Sequence, residues 1–308
     1  MMQRVERRFD CIGSCVKHLQ PRTQLPRSTL PWRGIRALSG LQDGRYVVSE
    51  RDKQLFKSKG FVHLKSVVLE EELEAIIEPV YESFLKGDIH VAGKDLCDMS
   101  GSKDRTPDQF TVYNVMKPRT YYPEWQGNLY EKRCQDIANQ LHDTEDMEPD
   151  YDQILAKRPL SEDAVFAWHQ DMAYWPPTTE TATATCWLAI SDATLQNGCM
   201  RFVPGSHLEA EIRPHMPVGA SREESHALQT VLRDNDVVEH VPISRGDITV
   251  HNESVIHGSG PNLSSGWRHA YVLAYRKAST IREERAIGFT HSHNDVTNWD
   301  VFRQHQRL

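Results

Sequence analysis

The chain has 308 residues, 39% hydrophobic and 26% charged, with a net charge of −7; that length and balance suit one large globular domain with a substantial core. No apolar run approaches the ~20 residues needed to cross a membrane, which excludes a helical membrane span. Residues 1–40 carry seven Arg and one Lys against Glu6 and Asp10, a net of +6, so residues 41–308 come to −13. A body that acidic argues against nucleic acid as the partner, because neutralising phosphates needs clustered Lys and Arg.

Residues 1–45 are basic, contain Ser and Pro, and show little periodicity. Arg-rich, acid-poor segments of this kind read as organelle transit peptides; the alternative is a disordered extension, since Glu6, Asp10 and three prolines work against an amphipathic helix. The expected location is cytoplasmic or, through such a peptide, mitochondrial or another organelle, and not secreted. Six cysteines without a C-x-x-C pair fit a reducing compartment and no structural zinc. Gln306-Arg307-Leu308 is a poor match to the S-K-L peroxisomal signal.

Residues 46–308 are expected to form a single domain. Its N-terminal part, 46–150, reads as helical. Ser49 opens a capping box that lacks its Glu/Gln, and Phe61-Val62-His63-Leu64 alternates like a short strand. Leu73, Ile76, Ile77, Val80, Tyr81 and Phe84 recur at a helical period, with Pro79 expected to kink or restart the helix. Residues 88–128 read as an aromatic loop punctuated by prolines, and 129–141 as a helix. From 151 to 278 the chain breaks into short apolar segments, at 163–168, 182–190, 199–203, 237–243, 247–251 and 270–275, separated by turn residues. That rhythm predicts an α+β, mainly β fold with a sandwich or barrel core. The C-terminal segment, 279–308, contains a second H-x-H, His291 and His293, expected to be a docking or substrate-side element.

Trp168-His169-Gln170-Asp171 is the most informative motif of the β-rich part. In a strand, residues i and i+2 project to the same side, so His169 and Asp171 point together. His257, far downstream, can complete two imidazoles and one carboxylate on one face of a metal. The opposite face then stays open, as in non-haem Fe(II) oxygenases. A lone His–Asp pair at a strand end could equally bond to itself; His257 and Arg268 turn the reading toward a site. His251 competes for the third ligand position. His257 is preferred because Arg268 follows across one loop, which would put the two on neighbouring antiparallel strands. Arg268 is a fixed cation able to hold a carboxylate bidentately.

Residues 151–276 resemble the phytanoyl-CoA dioxygenase family of Fe(II)/2-oxoglutarate-dependent oxygenases. The resemblance is carried by Trp168-His169-Gln170-Asp171 with Tyr174-Trp175-Pro176, by Asn197-Gly198-Cys199-Met200 with Val203-Pro204-Gly205-Ser206-His207, and by His257-Gly258-Ser259-Gly260-Pro261-Asn262 with Arg268. It implies a double-stranded β-helix (jelly roll) with helices packed on one sheet. It further implies Fe(II) on His169, Asp171 and His257, and 2-oxoglutarate anchored by Arg268 beside Gln153, Trp187 and Ser259, with Asn262 in a nearby loop. Asp171 matters by its presence, since related halogenases lack this carboxylate. The implied activity consumes O2, releases succinate and CO2, and oxidises a small organic molecule, by hydroxylation foremost; the chain would act as a monomer or homodimer. A non-catalytic binding protein on the same fold and a cupin-like metalloenzyme independent of 2-oxoglutarate are the alternatives. Tyr174, Trp175 and Tyr113 are the expected substrate-lining residues, and Arg105, Lys117 and Arg119 could meet an acidic group.

Overall fold

The computed structural model describes residues 38–305 apart from 102–104, 220 and 222–225. Most of the basic stretch, and with it the transit-peptide expectation, Cys11 and Cys15, lies outside the described residues. The end of that stretch is folded: β1 (Gly40–Gln42) and β2 (Arg45–Val47) form a hairpin.

The N-terminal helices follow the sequence pattern closely. Helix α1 (Glu50–Lys59) starts at Ser49, whose hydroxyl accepts from the Asp52 amide, and stops at Gly60 in the left-handed region. After β3 (Phe61–Leu64) comes a short α2 (Glu70–Glu72), a π turn (Leu73–Ile77) and α3 (Glu78–Lys86). Pro79 has no N–H and its ring would collide with a carbonyl of the preceding turn; the π widening absorbs that mismatch and lets α3 restart with Pro79 in its first turn.

Residues 88–128 are not a plain loop. They contain β4 (Leu96–Asp98), β5 (Val112–Met116) and a short α4 (Pro118–Tyr121), followed by α5 (Leu129–Leu141). Strand β6 (Met147–Lys157) was likewise absent from the sequence pattern, because Asp150 and Asp152 break its apolar run. Both aspartates are buried and paired to arginines from elsewhere, Asp150 with Arg285 and Asp152 with Arg119 at 3.0 Å. The remaining strands are β7 (Phe166–His169), β8 (Thr183–Ala189), β9 (Met200–Phe202), β10 (Met216–Pro217), β11 (Leu228–Gln229), β12 (Glu239–Val241), β13 (Ile248–His251), β14 (His257–Ser259) and β15 (Arg268–Lys277). Helices α6 (Ala278–Ala286) and α7 (Val296–His305) follow.

Two antiparallel sheets build the jelly-roll core, one of seven strands in the order β3-β13-β8-β15-β6-β5-β4 and one of four in the order β12-β9-β14-β7. Period-2 alternation assigns each face of the large sheet. Ala184, Cys186 and Leu188 of β8 and Tyr271, Leu273 and Tyr275 of β15 pack with Leu73, Ile77, Phe84, Cys134 and Ile137 of the helical layer. The intervening Trp187, Ala189, Ala270 and Val272 pack instead with Met200 and Phe202 of the small sheet. Because both faces are covered, β8 is buried at every residue, Thr183 and Thr185 included.

The site therefore lies between the sheets, and one expectation is corrected. His257 is in the small sheet and Arg268 in the large one. The loop between them crosses the sandwich instead of making a hairpin, so they are not on neighbouring strands.

Candidate metal centre

Strands β7 and β14 pair so that His169 and His257 sit directly opposite each other, with ring centroids 4.2 Å apart. Asp171 opens the turn after β7 and brings Oδ1 to 3.5 Å from Nε2 of both histidines. One donor atom from each of the three buried residues falls within 4.8 Å of the other two.

The backbone fixes which nitrogen faces inward. His169 Nδ1–H donates to the Ala167 carbonyl at 2.8 Å and His257 Nδ1–H to the Val255 carbonyl at 2.9 Å. Each bond is made to the carbonyl two residues back along the chain and leaves Nε2 bearing the lone pair on the Asp171 side. Burial, reinforced by His169 and His251, pushes the His257 imidazole well below its ordinary pKa, so the ring is neutral. Burial alone would raise the Asp171 carboxyl; His257, His169 and His251 outweigh it and hold the group well below the usual carboxylate range. Two neutral imidazoles and a carboxylate are the protonation states a divalent metal requires.

Thr185 donates to Asp171 Oδ2 at 3.2 Å, and His251 Nε2 lies 3.3 Å from the same oxygen. His251 is thus beside the carboxylate and outside the His169–Asp171–His257 group. Thr185 was not anticipated; its only signal was sharing a strand face with Trp187.

Across the cleft, Arg268 is 2% exposed, and its guanidinium lies 5.0 Å over the Trp187 ring. Its Nε and Nη1 have no hydrogen-bond partner among the described residues. Burial pulls the group down to about 10, still a cation at neutral pH. A buried, unpaired guanidinium is costly and is relieved only by an anion entering the cavity. Lys157, its register partner, is also fully buried, and among the described residues its ammonium is held only by the Gly260 carbonyl. Burial, then Arg268 and Arg201, push the Lys157 ammonium well below its ordinary range.

One cavity contains the triad, Arg268 and most of the other expected residues: Gln153, Trp187, Ser259, Tyr174 and Trp175 all line it. Gln153 reaches Met116 Sδ at 2.7 Å. Asn262 does not line it; its amide bonds the Lys157 and Gly266 carbonyls and organises the loop. Tyr113 is a correction. It belongs to the opposite face of β5, where it packs with the helical core and donates to the Phe84 carbonyl at 3.1 Å. Its neighbours Val112 and Met116, of the other parity, are the ones that reach the cavity. Arg105 and Arg119 are also committed elsewhere, to Asp98 and Asp163 and to Asp152 and Glu131. Residues the sequence reading passed over, His226 and Asn298, complete the wall beside His291 and His293.

With this geometry in hand, the family model described as phytanoyl-CoA dioxygenase matches residues 56–270, well over half of the chain. The chain belongs to the phytanoyl-CoA dioxygenase family. A Dictyostelium discoideum phytanoyl-CoA dioxygenase domain-containing protein 1 homolog is 37% identical over 112 residues, 35% of this chain and 39% of the relative. The human peroxisomal phytanoyl-CoA dioxygenase is 29% identical over 178 residues, 52% of this chain and 50% of the relative. The chain thus aligns with only about two fifths to one half of the length of these curated relatives. Among solved structures, EvdO2 from Micromonospora carbonacea var. aurantiaca superposes with a TM-score of 0.63 at 29% identity, over 78% of this chain and 93% of that one. The same protein complexed with 2-oxoglutarate gives 0.60 at 26%, with the same coverage. Among the described residues no helix is long and apolar enough to cross a membrane.

Proposed function

We propose that this family member is an Fe(II)- and 2-oxoglutarate-dependent dioxygenase that hydroxylates a small organic molecule. The observation that carries the reading is the pairing, in one cavity, of the His169–Asp171–His257 triad with the unpartnered guanidinium of Arg268.

The residues present fit both groups. His169, Asp171 and His257 would hold Fe(II) on one face. Arg268 would take the far carboxylate of 2-oxoglutarate, with Trp187, Gln153 and Ser259 around it. Iron with its co-substrate supplies the oxidising chemistry, consuming O2 and releasing succinate and CO2. The protein's share is positional. The Ala167 and Val255 carbonyls hold the imidazoles in the ligating tautomer. Thr185 occupies Asp171 Oδ2, favouring Oδ1 as the ligand atom. Tyr174, Trp175, Phe166, Met116 and Met200 exclude water from the substrate side. Asp171 occupies the position that would otherwise be free for a halide, which favours hydroxylation.

The test is an anaerobic titration of the apo-protein with Fe(II) and then 2-oxoglutarate, following the visible metal-to-ligand charge-transfer band. A saturating band is expected. Folded protein that gives no band would sink this reading in favour of a non-catalytic or 2-oxoglutarate-independent one.

A further inference from the structure

On the substrate side, His291 is placed unlike any other described histidine. Its backbone is in the left-handed region, φ 66°, a conformation uncommon outside glycine and concentrated at functional positions. The residue is 3% exposed and lines the same cavity as the metal triad. Its ring stacks on Tyr151 with centroids 4.2 Å apart and meets Trp175 edge-on at 5.9 Å.

Nε2 of that ring points away from the cavity, into a buried ionic cluster. It lies 2.8 Å from Asp150 Oδ2 and 3.3 Å from Glu284 Oε2. Asp150 also pairs with Arg285, and Glu284 with Arg276, whose guanidinium sits 4.3 Å over the outer face of Trp175. The three acceptor-bearing residues could be mistaken for a second metal site, but two arginines already neutralise both carboxylates. A cation would have to displace them.

The cluster instead fixes the orientation of the ring. An ionised carboxylate can only accept, so Nε2–H is the donor to Asp150 and Nδ1 is the ring nitrogen left for another partner. The two ring nitrogens point in nearly opposite directions, and Nδ1 makes no hydrogen bond to any described residue. The strained backbone is itself pinned, since Asn298 Nδ2 donates to the His291 carbonyl at 3.0 Å and to the Ser292 carbonyl at 2.9 Å. Asp95 accepts from the His293 amide at 2.7 Å. The segment is a fixed wall.

We propose that His291 is a substrate-contacting residue whose Nδ1 makes a hydrogen bond with a hydroxyl group of an uncharged substrate and so selects the C–H bond turned toward the metal. This rests on the metal-centre reading above. The substrate class follows from the lining: apart from Asp171 and Arg268, committed to metal and co-substrate, no described cavity residue is an acid, a lysine or an arginine.

The test uses Fe(II)- and 2-oxoglutarate-loaded protein, held anaerobic, and measures equilibrium affinity for matched neutral probes: benzyl alcohol against toluene, cyclohexanol against cyclohexane, borneol against bornane. In the wild type at least one alcohol should bind about tenfold or more tighter than its deoxy partner, the size expected for one buried hydrogen bond. His291→Phe keeps the ring stack on Tyr151 and should erase that preference while the charge-transfer titration stays as in the wild type. His291→Asn, whose amide reaches the place of Nδ1, should restore part of it, and carries the test if the Phe variant does not fold. No preference in the wild type, or a preference that survives in the variants lacking Nδ1, overturns the proposal while the band is intact. A wild type without the band is a failure of the metal-centre reading, and the His291 role falls with it.

Discussion

Replacing Arg268 should move stability and co-substrate binding in opposite directions. Arg268→Met keeps a long side chain against Trp187 but removes a cation with no anionic partner among the described residues. The fall of the guanidinium from its ordinary value to about 10 corresponds to about 3 kcal/mol at roughly 1.4 kcal/mol per tenfold change in proton affinity. That is an upper bound on what the ligand-free protein gains, since repacking around Met returns some of it. Relief of the repulsion on Lys157 acts in the same direction. With 2-oxoglutarate present the sign reverses. An incoming carboxylate loses its bidentate partner and is buried unpaired, a loss of about 2–5 kcal/mol, or roughly 30- to 5000-fold in affinity. The wild type at one hundred times its dissociation constant gains about 2.7 kcal/mol from the ligand, and the variant at the same concentration should gain about 0.9 kcal/mol at most. Anaerobic urea unfolding with Fe(II), with and without 2-oxoglutarate, measures both effects. A variant that is less stable without ligand and is stabilised by 2-oxoglutarate as much as the wild type would refute the anchor role and the charge reasoning behind it.

Three further outcomes follow from the geometry. A Cβ on Gly258 would come 2.8 Å from the Phe166 carbonyl and 3.1 Å from the Ala167 carbonyl, forcing β14 off β7. Gly258→Ala should therefore part His257 from His169 and weaken metal affinity about tenfold or more, with a stability loss of about 1–3 kcal/mol; unchanged Fe(II) affinity would contradict this. Tyr113→Phe should cost about 1 kcal/mol through the lost bond to the Phe84 carbonyl and leave kcat and KM untouched; a shifted KM would return Tyr113 to the substrate wall. Burial lifts the Glu253 carboxyl to about 7, above its unfolded value of about 4.3. The folded state then binds the extra proton, so stability falls as pH rises from about 4.3 through 7. Glu253→Gln should flatten that limb and be the more stable protein at pH 8, as compared by thermal unfolding at pH 5 and pH 8.

What could be read in the sequence was whatever depends on residue identity and short-range parity. His169 and Asp171 two apart on an extended segment necessarily project together, and the Leu73–Phe84 period necessarily makes one apolar face. What could not be read depends on partners remote in the chain. Strand β6 hides because the arginines that pair Asp150 and Asp152 are Arg285 and Arg119, so its charges look like loop. Tyr113 was misplaced by one parity step, the error a strand inside an aromatic, proline-rich stretch invites, since nothing local marks which face is the cleft. The relation of His257 to Arg268 failed differently. A short Gly-rich connection looks like a hairpin, whereas here it carries the chain from one sheet to the other.

That crossing explains how the cavity balances its charge. The small sheet and its turn provide two imidazoles and one carboxylate; the large sheet provides one guanidinium. A divalent metal and a dianionic co-substrate add equal and opposite charge, so the filled site is neutral, while the ligand-free one pairs an isolated cation with an isolated anion across the cleft. A substrate bearing its own charge would upset that balance in a low-dielectric space lined by Tyr174, Trp175, Phe166 and Met200. On the reading proposed above, selection would come from shape and from uncharged hydrogen bonding, which would put the discriminating power on the His291 side of the wall, away from the ion-bearing end.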